Sequence, residues 1–194
     1  MEKDILADMI SKCQKGDKDA FNWLLNEYGP RLYRYFLRTS GNDERAGDML
    51  QEMFVKLLQK IKKYQHQGQF EHWLFRVAAN LARDNARKQK NVYSLQNDDP
   101  DKPGPGDLLV GRGPGPFENV EHSEQVEILQ QAIDMLTADQ KEIILLRHYS
   151  QMSFQEIAQE LKIPVGTALA RAHRGLKRLK EILDPKINAI TKNR

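Results

Sequence analysis

Residues 153–179 read SFQEIAQELKIPVGTALARAHRGLKRL. The Ser-x-x-Glu pattern at Ser153 is that of a capping box and predicts a short amphipathic helix ending near Leu161. Pro164 interrupts the helical pattern, and a second, basic helix is predicted from Gly166 onward. Two helices around a short turn, with the cations on the second, are typical of a helix-turn-helix. The alternative is a helical hairpin with a solvated basic face; spacing, capping and charge together favour the helix-turn-helix.

The second helix of this stretch supplies candidate DNA contacts. In a helix-turn-helix its first residues face base edges, and later cations lie near phosphates. The first helix is expected to pack through Ile157 and Leu161, with Ile163 and Leu176 as partners. The small Ala158 would let the two helices cross closely. The residues expected at the DNA are Gly166, Thr167, Leu169, Ala170, Arg171, His173, Arg174, Lys177 and Arg178.

Charge is segregated along the 194 residues, although the formal net charge is only +3. Residues 1–90 carry a net charge of +5, residues 91–124 carry −5, and residues 125–194 carry +3. Two basic blocks separated by an acidic one point to a polyanionic partner better than the total does.

The acidic block overlaps a predicted linker. Residues 97–118 hold five of the eight prolines and five of the twelve glycines, which forbids a continuous helix there. Because a loop this long is improbable inside one compact domain, we interpret it as a flexible tether. The run Gly111-Arg112-Gly113-Pro114-Gly115 resembles a phosphate-binding loop only weakly, since it lacks a preceding strand and a Lys-Ser/Thr pair.

Apolar residues at helical spacing predict helices on both sides of the linker. The second helix is expected to end at Gly29-Pro30, and the fourth to turn Leu57 and Leu58 inward. Cys13 lies on the apolar stripe of the first helix and is expected to be a buried thiol rather than a redox group. The predicted helices are Ile5–Cys13, Phe21–Tyr28, Leu32–Leu37, Asp43–Lys63 and Phe70–Lys90, then Gln125–Leu136 and Thr137–Tyr149.

No alternation typical of strands occurs, so the fold is predicted to be all-α, with two small helical bundles. The domain boundaries expected are 1–92, a linker at 93–121, and 122–194. The longest wholly aliphatic run is Ile143–Leu146, far short of the ~20 residues of a spanning helix, so no membrane insertion is expected. One cysteine and dispersed histidines argue against a metal site, and we predict no catalytic residues, no cofactor and a cytoplasmic location.

Two N-terminal helices carry polar faces with a possible binding role. Arg76, Asn80, Arg83 and Arg87 recur at three- or four-residue steps along the fifth predicted helix, and these residue types suit phosphate and base contacts. Trp73 beside them could stack on an unpaired base or belong to the core. The alternative for the whole face is simple solvation. On the fourth helix, Asp48 and Glu52 share a face, which indicates a solvated or partner-facing acidic patch rather than acid–base catalysis.

These motifs resemble a known family. The stretches DMLQEMFVK (48–56) and FEHWLFRVAANLARD (70–84) resemble region two of bacterial sigma-70 family factors, and the extracytoplasmic-function (ECF) group is the best match. LTADQKEIILLR (136–147), FQEIA (154–158) and PVGT (164–167) resemble region four of that group. The resemblance covers nearly the whole chain except the linker.

The resemblance implies a promoter-specificity subunit of RNA polymerase that is not itself an enzyme. It implies binding to the β′ and β subunits of core polymerase and to promoter DNA, and an anti-sigma factor as a partner. The expected polymerase-binding residues are Asp48, Gln51, Glu52, Phe54 and Lys56. The residues expected to capture the melted downstream element are Gln65, His66, Gln67, Gly68, Gln69, Phe70, Trp73, Arg76, Asn80, Arg83, Asp84 and Arg87. The helix from Gly166 would read the upstream element.

Some positions depart from the family pattern and leave other functions open. Leu169 stands where a DNA-contacting cation is common, and a leucine cannot pair bidentately with guanine. Lys162 stands where a turn-tolerant residue is frequent, and a left-handed backbone there would strain a lysine. One alternative is a stand-alone regulator that binds a palindromic operator. The other is a protein–protein module that is inert on DNA.

Overall fold

The computed structural model of this chain describes residues 2–96 and 124–192, which form eight helices and, within those ranges, no strand. The all-α prediction is therefore confirmed. The predicted linker lies almost wholly outside the described residues. The helices are α1 (Glu2–Gln14), α2 (Lys18–Ser40), α3 (Asp43–Ile61), α4 (Phe70–Gln96), α5 (Glu124–Asp134), α6 (Ala138–Ser150), α7 (Phe154–Leu161) and α8 (Val165–Lys192).

The first four helices pack around an apolar core. The Asp17 carboxylate caps α2 by accepting hydrogen bonds from the backbone N–H groups of Asp19 and Ala20. Gly41 ends the same helix in the left-handed conformation, at φ 67°, which glycine adopts without steric cost. Helices α2, α3 and α4 bury their apolar stripes against one another. The largest fully buried side chains here include Leu24, Leu32, Tyr33, Phe36, Met53 and Phe75.

The prediction that a helix ends at Gly29-Pro30 is wrong, because α2 runs through Pro30 without a break. A proline inside a helix removes one hydrogen bond and crowds the preceding turn. Gly29 has no Cβ to clash with the proline ring, which lowers that cost. Tyr28 and Leu32 on either side are both buried in the same core. Burial of the apolar residues on both sides of Pro30 favours one continuous helix.

Cys13 is buried at the end of α1, as the sequence predicts. Burial in apolar surroundings raises the pKa of its thiol from 9.0 to about 11, with a smaller contribution from Asp17. At neutral pH this leaves about a hundredfold less thiolate than in an ordinary cysteine. We expect alkylation by iodoacetamide in the native protein to be slower than in urea by about that factor or more. Equal rates in both states would contradict the buried position.

The last four helices begin and end at local signals that the sequence contains. Both capping boxes are present: Thr137 pairs with Gln140 at the start of α6, and Ser153 pairs with Glu156 at the start of α7. The turn between α7 and α8 places Lys162 in the left-handed region at φ 54°, as its position suggested. A non-glycine residue held there carries backbone strain.

Small residues, not large ones, form the packed edge of α8. Ala168 and Ala172 are buried, whereas Leu176, expected to pack on α7, is 54% exposed. Gly175 lies so close to α6 that an added Cβ would stand 2.6 Å from Ile144 Cδ1 and 3.1 Å from Gln140 Cβ. The close approach of α8 to α6 along this edge rotates Leu176 out toward solvent.

The two groups of helices contact each other. Helix α6 packs on both α2 and α4. Tyr149 of α6 stacks on Phe75 of α4 at 6.3 Å between ring centroids and meets Tyr35 of α2 edge-on at 5.8 Å. The side chain of Arg31 donates a hydrogen bond to the Tyr149 carbonyl. Apolar and polar contacts therefore join the helices before the predicted linker to those after it.

Candidate nucleic-acid interface

Helix α3 presents an outward face that includes most of the residues predicted to bind polymerase. Asn42 caps the helix by accepting a hydrogen bond from the Arg45 N–H at 2.9 Å. Met49, Leu50, Met53 and Leu57 face the core. Asp48 and Gln51 are exposed, and Glu52 forms an ion pair with Lys56 at 3.1 Å.

The same helix differs from the sequence prediction at Leu58. Phe54, which the family resemblance includes among the polymerase-binding residues, is half-buried against the core. Leu58, predicted to face inward, is 49% exposed, and Val55 is 54% exposed. Both lie beside Asp48 and Gln51 at helical spacing. A strict 3.6-residue count would have separated Leu58 from Leu57, because adjacent residues point about 100° apart.

The loop before α4 and the first turn of that helix divide into an exposed and a packed part. Gln65, His66, Gln67, Gly68 and Gln69 are all exposed. Phe70, predicted to contact DNA, is instead 1% exposed. Its ring meets Tyr28 edge-on at 5.4 Å, so it anchors the helix start in the core.

Trp73 lies partly in the core and partly in contact with solvent. Its ring is half-buried and lies 4.6 Å from the ring of Tyr64. The part of the indole that is not buried is accessible to solvent. An aromatic ring held in this way by a neighbour is a suitable platform for an unpaired base.

The polar face of α4 is split between residues turned to solvent and residues paired with other helices. Asn80, Asp84 and Arg87 are exposed, and Arg87 lies 3.9 Å from Asp84. The half-buried His72 and Arg83, and Arg76, whose side chain remains 52% exposed, contact carboxylates of α6 and α7. The distances are 3.2 Å from His72 Nδ1 to Glu156, 2.6 Å from Arg76 Nε to Glu160, 2.9 Å from Arg83 Nε to Glu142, and 3.2 Å from Arg83 Nη2 to Glu160.

Two of these carboxylates, Glu142 and Glu156, have perturbed pKa values. Burial raises the pKa of Glu142, and the Arg83 guanidinium opposes that change. The hydroxyl and backbone N–H of Ser153 lower the pKa of Glu156 through hydrogen bonds, and His72 adds to the effect. The Nε of Arg83 is buried and lacks a well-aligned hydrogen bond, so its contact with Glu142 is mainly one of charge.

Helix α8 turns a basic face outward. Gly166, Ala170, His173, Arg174 and Lys177 are exposed along the side opposite the buried alanines. Leu169 and Arg178 are also exposed, whereas Thr167 is half-buried. Arg171 points toward α6, where it forms an ion pair with Asp139 at 2.7 Å.

An apolar groove that the sequence did not predict runs along one edge of this basic face. Leu169 and Leu176 line it together with Phe154, and its volume is about 510 Å³. His173, Lys177 and Lys180 also line it.

Comparison with known proteins finds matches for both groups of helices. Residues 24–92 match the family model described as Sigma-70 region 2, and residues 126–179 match that of Sigma-70, region 4. ECF RNA polymerase sigma factor SigW of Bacillus subtilis is 34% identical over 179 residues, which cover 90% of this chain and 94% of the relative. ECF RNA polymerase sigma factor SigE of Mycolicibacterium smegmatis is 31% identical over 173 residues, covering 87% of this chain and 64% of the relative.

Solved structures show the same fold. The sigma factor RpoE in complex with the anti-sigma factor NepR from Bartonella quintana matches with a TM-score of 0.66 and 24% identity, over 84% of this chain and 96% of that one. CnrH in complex with the cytosolic domain of CnrY matches with a TM-score of 0.60 and 20% identity, over 91% of this chain and 96% of that one. No helix within the described residues is long and apolar enough to cross a bilayer.

Proposed function

Since this chain belongs to the ECF group of the bacterial sigma-70 family, we propose that it directs core RNA polymerase to promoters with two recognition elements. As a sigma factor it acts in transcription initiation with RNA polymerase. The observation that carries the more specific proposal is the presence of two separate basic helix faces, one on α4 and one on α8. Two weak DNA contacts within one complex bind more tightly together than either does alone, because binding at one element raises the effective concentration of the second contact at the other.

We assign core-polymerase binding to the outward face of α3. Asp48, Gln51 and Glu52 give it acidic and polar groups, and Val55 and Leu58 add exposed apolar surface. Apolar residues surrounded by charges are common in specific protein interfaces, where the apolar part contributes affinity and the charges select the partner. Phe54 and Lys56 would border this surface.

We assign the downstream element to the Gln-rich loop and the solvent-facing side of α4. An unpaired base would stack on Trp73, and Asn80 and Arg87 would contact base edges or phosphates. The upstream element would lie along α8, with Arg174 and Lys177 central to the contact. An anti-sigma factor, the partner that the solved RpoE complex contains, is expected to regulate this chain as well.

Reconstituted transcription tests the proposal. The purified chain would be added to core RNA polymerase and a library of candidate promoter fragments. We expect transcripts that need both the chain and two separated promoter elements, and weak duplex binding by the chain alone. Tight binding to a palindromic site without polymerase would instead identify a stand-alone regulator. Failure to bind either DNA or polymerase would favour a protein–protein module.

A further inference from the structure

An apolar groove adjoins the basic residues of α8. Leu169 is 47% exposed and Leu176 is 54% exposed, and together with Phe154 they line this groove. Single exposed leucines are common on protein surfaces, but a groove that several apolar side chains share is a candidate binding surface. The DNA contacts proposed for Arg174 and Lys177 use polar groups alone, so they do not account for the leucines.

Leu169 lies in the part of α8 that faces base edges in a helix-turn-helix. The helix begins at Val165, and in this motif the N-terminal residues of the second helix enter the major groove. Val165, Gly166, Leu169 and Ala170 are exposed there, and none of their side chains can form a hydrogen bond. Thr167 is half-buried. Leu169 is the largest of the exposed side chains in this first part of the helix.

The next cations along α8 do not supply a hydrogen bond at the position of Leu169. The guanidinium of Arg171 is turned to α6, where its Nη2 lies 2.7 Å from the Asp139 carboxylate. Arg174 is exposed, but at 100° per residue it lies about 140° around the helix from Leu169. Because the two side chains leave the helix in different directions, they would meet different base pairs. Leu169 is therefore left to make an apolar contact.

We propose that Leu169 is a specificity-determining residue that contacts the C5-methyl group of a thymine in the upstream element. This rests on the proposed role of α8 in binding that element. The thymine methyl is the apolar group that a base pair displays in the major groove, and aliphatic side chains recognise it there. Lys177 and Lys180 also line the groove and provide positive charge for nearby phosphates. Duplex DNA thus matches both the apolar and the basic side chains of this surface.

The test removes this methyl group from the DNA. The full chain with core polymerase would transcribe a promoter found in the reconstitution described above. Each thymine of its upstream element, on either strand, would be replaced in turn by deoxyuridine, which lacks only the methyl group. We expect one position at which this replacement lowers transcription by about fourfold, the size expected for one buried methyl group.

The variant Leu169→Ala links this effect to the side chain. We expect it to lower transcription from the thymine promoter by at least about fourfold and to abolish the difference between thymine and uracil. Leu176→Ala is the matched control, because it removes the same atoms from a similarly exposed leucine of the same groove. It should retain the fourfold difference. Circular dichroism would verify that both variants remain helical.

Four outcomes would overturn the thymine contact. They are an upstream element in which no uracil replacement changes transcription, a difference between thymine and uracil that persists in Leu169→Ala, an equal loss of that difference in Leu176→Ala, and normal transcription by both leucine variants. The last outcome would indicate that the groove takes a protein partner instead of DNA.

The same experiment separates this contact from the proposed function. Absence of transcription by the unchanged chain from every promoter would overturn both together. Transcription that depends on two promoter elements but is insensitive to uracil would overturn the contact of Leu169 and leave the proposed function intact.

Discussion

The variant Glu52→Lys is expected to reduce binding of core RNA polymerase by at least about 30-fold, with a matching loss of transcription. Removing one partner of a buried charge pair at an interface costs about 2–5 kcal/mol, and each 1.4 kcal/mol is about tenfold in affinity. Reversal of the charge adds repulsion toward any cation that Glu52 meets. Asp48→Ala, one turn earlier on the same face, should act in the same direction with a smaller effect.

The fold should survive this change. Glu52 lies on the outward side of α3, and the substitution breaks its surface ion pair with Lys56, which stabilises the helix by about 0.3–0.5 kcal/mol. Thermal unfolding would verify this, and capture of core polymerase on the immobilised chain would measure the binding. Glu27→Lys on α2 makes the same charge change and should bind polymerase normally. Normal binding by Glu52→Lys would remove α3 from the proposed polymerase surface.

The variant Arg174→Ala should lower transcription from two-element promoters by about 5- to 150-fold, which corresponds to the ~1–3 kcal/mol of one base contact. Arg174 is exposed on the side of α8 opposite the buried alanines, where the major groove would lie. On promoters whose upstream element is already altered, Arg174→Ala and the unchanged protein should give equal transcription. If Lys177 contacts a phosphate, Lys177→Ala should weaken DNA binding equally for all sequences. It should also reduce the slope of log binding constant against log salt concentration by about 1.

Arg171 provides an internal comparison for this prediction. The sequence places it equally well in the recognition helix, but its guanidinium is engaged with Asp139 of α6. We therefore expect Arg171→Ala to reduce promoter selectivity less than Arg174→Ala. Lys18→Ala, an exposed cation at the start of α2, serves as the charge control. A larger effect at Arg171 than at Arg174 would mean that α8 meets DNA by a different edge.

Local features of this fold could be read from the sequence because they depend on neighbouring residues. The capping boxes at Thr137 and Ser153 satisfy backbone groups within one turn, so four residues contain all the necessary information. The left-handed turn at Lys162 was indicated by the family resemblance, in which a turn-tolerant residue is frequent at this position.

Features that depend on which neighbour covers a face were harder to predict. Leu58 and Leu176 are apolar and helical, yet each is exposed because the helix packs through an adjacent edge. Phe70 was expected at the DNA only from the family resemblance; its ring lies in the core against Tyr28 of α2, as its place on an apolar stripe indicates. Helical periodicity predicts which residues share a face, and only the packing of distant helices selects the face that is buried.

The amino-acid order alone was sufficient for the two helical units, their basic faces and the acidic proline-rich segment between them, because charge and periodicity are properties of consecutive residues. It left open how the two units meet. The pairing of Arg83 with Glu142 and Glu160 joins residues separated by 59 and 77 positions. Such a contact forms only when Tyr149 and Phe75 bring α6 against α4, so the coverage of the α4 face is a property of the folded chain.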